Sequence, residues 1–177
     1  LPDPPQRGGN FDVLGAVLCA ATFGLEVTAL FRQPNNRYVA REVQSARHTQ
    51  GGHLVPSKAG AAWALAARLE EGGSVGMLVD QKFAKGIRTT FFGRPCRTNP
   101  LLPKLARRFD VAVHPVRCIR LPEGRYRLEL EPRLDLPRGE DGAVDVAASC
   151  QLLNDIVEGW VREHPEQWMW FHRRWLV

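Results

Sequence analysis

Hydrophobic residues recur along this chain in short runs whose period switches between that of a helix and that of a strand. Phe11-Asp-Val-Leu-Gly-Ala-Val-Leu-Cys-Ala-Ala, opened by Asn10 as N-cap, reads as a buried helix. Residues 27–31 form a short apolar strand, and residues 36–46 have helical character. Residues 58–71 are rich in alanine and leucine and predict a helix ended by Gly72-Gly73. Residues 74–79 then read as a buried strand running directly into Asp80-Gln81. A helix over 99–109 and a strand over 111–119 follow. Residues 125–131 alternate as a further strand, paired across the Pro122-Glu-Gly124 turn. Residues 146–161 carry Val146, Cys150, Leu153, Val157 and Trp160 at helical spacing. This order predicts the α/β class, a layered mixed sheet flanked by helices, and 177 residues suit one such domain with a sizeable core.

Charge narrows the partners. The formal net charge is +5, mostly from arginine spread along the chain rather than gathered in a tail. That balance suits nucleic acid, acidic lipid headgroups or a phosphorylated substrate. No zinc-finger spacing or aromatic RNA-binding pattern is present, so the expected partners do not include nucleic acid. Cys19, Cys96, Cys118 and Cys150 are far apart and form no metal-ligand or redox pair, which fits free thiols. No apolar run reaches membrane-spanning length. The chain begins at Leu1 rather than Met, in a proline-rich stretch ill suited to a buried strand. The expectation is a single domain over 1–177 that lacks its N-terminal part, an anchor and a first strand.

Several positions suit chemistry. In open α/β sheets sites gather at the carboxyl ends of strands, which singles out Asp80 and Gln81, and likewise Arg32 in Phe31-Arg-Gln-Pro-Asn35. Phe91-Phe-Gly-Arg-Pro95 is an aromatic turn whose rings either line an apolar tunnel or plug the core. Arg7-Gly-Gly-Asn-Phe-Asp12 puts a cation on a glycine-rich loop, with Asp12 in the first turn of a helix. The run from His164 to Trp175 packs three tryptophans around Arg173 and Arg174. Either its rings dock on the core with the arginines solvated, or the guanidinium groups are held toward anions. His48, His53, His114, His164 and His172 all read as structural.

Taken together, Gly9-Asn-Phe-Asp12, Arg32-Gln-Pro-Asn35, Arg47 before Gly51, Asp80-Gln81, Phe91-Phe-Gly93, Thr98, Pro165-Glu-Gln-Trp168 and His172-Arg173-Arg174 resemble the late acyltransferases of lipid A biosynthesis. The resemblance covers nearly the whole chain and implies a glycerolipid-acyltransferase-like fold. It implies an enzyme of the cytoplasmic face of the bacterial inner membrane, moving an acyl chain from acyl carrier protein to a hydroxyl of an anionic glycolipid. No metal or cofactor is implied beyond the thioester co-substrate. Arg32, Asn35, Arg47, Asp80, Gln81 and Arg173 would meet the substrate, and Phe91 and Phe92 would border the acyl channel.

The family's catalytic pair is a histidine followed after four residues by an acidic residue. Asp12 matches the acidic position, but Arg7 stands where the histidine belongs. Arginine stays protonated and cannot act as a general base. Two explanations stay open: a misread or truncated start, or a degenerate paralogue that binds lipid without catalysis. An acyl-CoA-dependent glycolipid acyltransferase is a further alternative.

Overall fold

The computed structural model describes residues 27–31, 36, 38, 53–57, 59–170 and 173–176. The helix expected over 10–21 lies outside these residues, as does that expected over 36–46 except for residues 36 and 38. Three helices and seven strands are present among those described. β1 (Val27–Phe31) is the centre of a parallel sheet, with β2 (His53–Pro56) on one side and β3 (Ser74–Gly76) on the other. Its register runs from Thr28 opposite His53 to Phe31 opposite Pro56, and from Val27 opposite Ser74 to Ala29 opposite Gly76. Parallel neighbours need a crossover, and α1 (Ala61–Glu70) supplies it between β2 and β3.

α1 ends as its sequence predicts. Gly72 adopts a φ of 78°, Gly72 N–H donates to the Leu69 carbonyl and Gly73 N–H to the Arg68 carbonyl, the pattern of a Schellman cap. β3 is shorter than its apolar run suggests. Its ladder to β1 stops at Gly76, and the chain turns so that Val79 packs against an aromatic cluster elsewhere. Asp80 therefore sits four residues beyond the strand, not directly at its end.

The other strands form two antiparallel hairpins rather than joining one mixed sheet among the described residues. The α/β class holds, with its strands divided among three small sheets. The first hairpin, β4 (Ile87–Phe91) and β5 (Arg94–Thr98), occupies a stretch where only an aromatic turn was expected. The turn is real: Phe92 and Gly93 have φ of 52° and 68°, the two-residue loop that matches strand twist. α2 (Leu101–Phe109) follows, with Asn99 Oδ1 accepting from Leu101 N–H at 3.0 Å. The second hairpin, β6 (Val116–Arg120) and β7 (Tyr126–Leu130), pairs across Pro122-Glu-Gly124 as expected. The expected strand over 111–119 starts late, because Pro115 has no N–H to donate and ladder pairing begins at Val116 opposite Leu130. His114 is therefore outside the strand, within 3.1 Å of the Glu131 carbonyl through Nδ1.

α3 (Val146–Glu163) is capped by Asp145, whose carboxylate accepts from Ala147 and Ala148 N–H at 2.8 and 3.0 Å. Its buried stripe of Ser149, Cys150, Leu153, Asn154, Val157 and Val161 packs against the first hairpin. The resulting core contains Phe91, Cys96, Val157, Val161 and Trp168. Cys96, Cys118 and Cys150 are free thiols.

Candidate active site

Arg7, Asp12, Arg32, Asn35 and Arg47 lie outside the described residues. Asp80, Gln81, Phe91 and Phe92 lie within them, and one structural unit gathers them: the first hairpin, the loop leading into it, α3 and the closing segment 173–176. Arg173 lies on the exposed side of that segment.

The unit is assembled edge by edge. β4 has β5 on one side only, so its other edge offers unpaired backbone groups. Side chains of α3 take the place of a strand there. Gln151 accepts from Thr90 N–H at 2.8 Å and donates to the Thr90 carbonyl at 3.2 Å. Asn154 also donates to the Thr90 carbonyl, and Glu158 accepts from Phe92 N–H at 2.5 Å. Positions 151, 154 and 158 share one helical face, while 90 and 92 share one strand edge, so the two periods meet. The free edge of β5 is covered by the chain end: Trp175 bridges to Cys96, and Leu176 N–H donates to the Pro95 carbonyl.

Beneath the hairpin lies a buried polar network centred on Arg174, which is 1 % exposed. Its guanidinium donates to the Gln81 carbonyl, to Thr98 Oγ1 at 3.2 Å and to Asn154 Oδ1 at 2.6 Å. The amide of Asn154 donates to Thr89 Oγ1 at 3.0 Å, and Thr89 Oγ1 lies 2.8 Å from Thr98 Oγ1. These bonds fix the hydroxyl directions. Thr98 donates to Asn154 Oδ1 at 3.1 Å, so it accepts from Thr89 and Arg174. Burial lowers the Arg174 pKa, with Cys96 and Asp80 acting in the opposite direction. Arg174 is thus a clamp that ties the Gln81 loop to β5 and α3 through its two terminal nitrogens, while its buried Nε makes no hydrogen bond among the described residues.

Around this network stands a wall of rings. Phe91 is enclosed at 1 % exposure, with its centroid 5.4 Å from Trp168 and 6.0 Å from Trp175. It plugs the core. Phe92 is half-buried at the rim, 4.9 Å from Phe91 and 6.0 Å from Trp170, which is 50 % exposed. Its left-handed backbone is uncommon for a bulky residue. Three contacts hold it there: the Glu158 hydrogen bond, the neighbouring rings, and the Arg162 guanidinium 4.8 Å above its face. The Arg162 hydrogen bond and the Phe92 N–H outweigh burial, which alone would raise it, and hold the Glu158 carboxyl below the usual range.

Phe92 and Trp170 therefore present apolar faces beside the Arg162–Glu158 ion pair. The sequence did not single out Arg174, Asn154, Thr89 or Thr98 for a buried network. An Arg-Arg pair offers two alike candidates, and composition says nothing about which one points inward.

A comparison with curated proteins gives no match. Comparison with protein-family models matches residues 8–177 to the family described as bacterial lipid A biosynthesis acyltransferase. The match takes in Asp12 and the hairpin, α3 and chain-end residues just described, while Arg7 falls one residue before it. The chain belongs to the bacterial lipid A biosynthesis acyltransferase family.

Proposed function

We propose that this chain is the acyl-transfer domain of an enzyme that moves a fatty acyl group from acyl carrier protein to a hydroxyl of a phosphorylated, acylated disaccharide. It would work at the cytoplasmic face of the inner membrane. The observation that supports this most is the family match over residues 8–177. In the reaction the acceptor hydroxyl oxygen attacks the thioester carbonyl carbon, the hydroxyl gives up its proton, and the carrier thiol leaves. Arg32, Asn35, Arg47 and Arg173 meet the anionic groups of the acceptor. Asp80 and Gln81 line its approach, with their loop held by Arg174. Phe92 borders the acyl chain beside Trp170, and Phe91 backs that wall from the core.

Proton removal is where this chain departs from its family. Asp12 would hold an imidazole in the useful tautomer, but the group at position 7 is a guanidinium. Absence of a general base costs on the order of 10²–10⁴-fold in rate. The Arg7→His protein should transfer acyl groups from acyl carrier protein faster than the parent by about that factor. Equal rates with acyl-CoA would favour a related glycolipid acyltransferase. No transfer from either donor would overturn the catalytic reading in favour of the second one, a lipid-binding paralogue, which Arg7 itself motivates.

A further inference from the structure

A cleft of about 280 Å³ opens where α2 ends, and none of the candidate-site residues lines it. Its floor is apolar: Ala106 and Val144 are 2 % and 4 % exposed, and Val111, Leu134 and Leu136 complete it. Backbone hydrogen bonds fix its walls. Leu134 N–H donates to the Val113 carbonyl at 2.8 Å, Asp145 N–H to the Pro137 carbonyl at 2.8 Å, and Gly139 N–H to the Ala143 carbonyl at 2.9 Å. Val144 directly precedes Asp145, the cap of α3, so the cleft lies at the start of the helix whose later side chains cover β4.

Most charges around this cleft are spent. Arg138 lies 3.2 Å from Asp110 and donates to the Gly142 carbonyl at 2.8 Å, while Arg107 takes Asp141 at 3.1 Å. Arg133 and Asp135 remain. Both are exposed and line the cleft, and neither side chain has a hydrogen-bond or ion-pair partner among the described residues. They have opposite signs and stand two residues apart, yet they do not pair with each other. Elsewhere the same spacing closes: Arg127 lies 2.8 Å from Glu129, and Arg125 lies 3.7 Å from Glu123. Between Arg133 and Asp135 the chain is held by the Leu134 hydrogen bond, and the two charges stay open at the rim. The carboxyl end of α2 at the same cleft adds a partial negative charge that favours a cation.

We propose that this cleft binds a small zwitterion, with its anion on Arg133, its ammonium on Asp135 and the α2 end, and an aliphatic group on the apolar floor. A lone anion would meet Arg133 but have Asp135 beside it as a like charge, and a lone cation faces the converse. The volume lies at the low end of ligand pockets, so the ligand is small. An aliphatic amino acid such as leucine has this chemistry, and the ethanolamine phosphate of a lipid headgroup offers the same two charges without the aliphatic group.

The test is a chemical-shift titration of the full chain with L-leucine. The amides of Val111, Leu134 and Val144 should move together, with a Kd on the order of 1 mM. Glycine lacks the aliphatic group and should bind several-fold more weakly. Isovalerate and isoamylamine, which keep that group but carry one charge each, should also bind several-fold more weakly. Arg133→Gln and Asp135→Asn should each weaken leucine binding roughly two- to fivefold, the range of an exposed ion pair, and the double variant should lose more. Both residues are exposed and unpaired, so these variants should melt with the parent, which guards against loss of fold. Arg127→Gln makes the same charge change at a closed pair and should bind leucine as the parent does. Tighter binding of ethanolamine phosphate than of leucine would assign the two charges to a headgroup, and the reverse order to a free amino acid; either result keeps the site. No shift at tens of millimolar of either compound overturns the proposal. Undiminished binding by the double variant, or equal loss in Arg127→Gln, does so too. The titration needs no turnover, so its outcome is independent of the acyl-transfer assay.

Discussion

Arg174 and Arg173 are chemically alike neighbours whose surroundings differ completely. Arg174 carries its charge inside the protein and spreads it over three neutral acceptors on three segments, at Gln81, Thr98 and Asn154. A planar fork suits that geometry and a lysine ammonium does not, since one point charge cannot reach all three. Arg174→Lys should cost about 1–3 kcal/mol in urea unfolding, because buried acceptors are left without donors. Arg173→Lys, on the exposed side, should shift stability by less than about 0.5 kcal/mol. Asn154→Ala and Arg174→Lys share a hydrogen bond, so a double-mutant cycle should show a coupling of about 0.5–3 kcal/mol. Additive costs would mean that the network is not a unit. At this scale the sequence marked the arginine pair and the ring run as important but assigned the substrate contact to Arg173 only. Burial distinguishes the two, and burial depends on how the closing segment pairs with Cys96, a contact of long sequence separation.

The first hairpin shows why some elements were legible and others were not. α1 and α3 announce themselves through apolar spacing and caps that act within a few residues. β4 and β5 hide, because their inward face is Thr89, Phe91, Cys96 and Thr98, half of it polar, and the expected apolar alternation is missing. Pro95 also argues against a strand, and is tolerated because the group it turns to the chain end is its carbonyl, which accepts from Leu176 N–H. The helix side chains that cover the opposite edge give two predictions. Gln151→Ala removes the acceptor of the Thr90 N–H and one of the two donors to its carbonyl, so the Thr90 amide should exchange with deuterium faster while amides of the second hairpin keep their rates. Unchanged exchange at Thr90 would mean that water serves that edge equally well. Glu158 links the turn to pH. Its folded pKa is depressed, so its contribution is present above its unfolded value of about 4.3 and is lost as pH falls through the lower folded value. The stability gap between the parent and Glu158→Gln should therefore be widest near neutral pH and close under acid. A gap that stays constant to low pH would remove the carboxylate from this role.

At the scale of the whole molecule, the site and the fold share one wall. The proposed function assigns the catalytic pair to positions 7 and 12, outside the described residues, while the described residues of the candidate site are built around the chain end, and no described helix is long and apolar enough to cross a membrane. What was legible here was the order of short motifs and the α/β class. The division into three small sheets was not, since it depends on which edges side chains cover. The chain end covers one such edge and fills the core at once: Trp168 is 5 % exposed, Trp175 donates to the Phe91 carbonyl at 2.7 Å, and the Arg174 guanidinium lies 5.6 Å from the Phe91 ring centroid. Removing a buried tryptophan side chain alone costs about 3–5 kcal/mol. Deleting residues 168–177 takes away Trp168, Trp175, the Arg174 clamp and the cover of β5 together. That loss is comparable with the roughly 5–15 kcal/mol that holds a whole domain. The shortened chain should show no cooperative thermal transition by circular dichroism, whereas Trp170→Ala, at the exposed rim, should melt within a few degrees of the parent. A cooperative transition in the shortened chain would mean that the closing segment decorates a core already complete. The wall of rings would then be free to serve substrate alone.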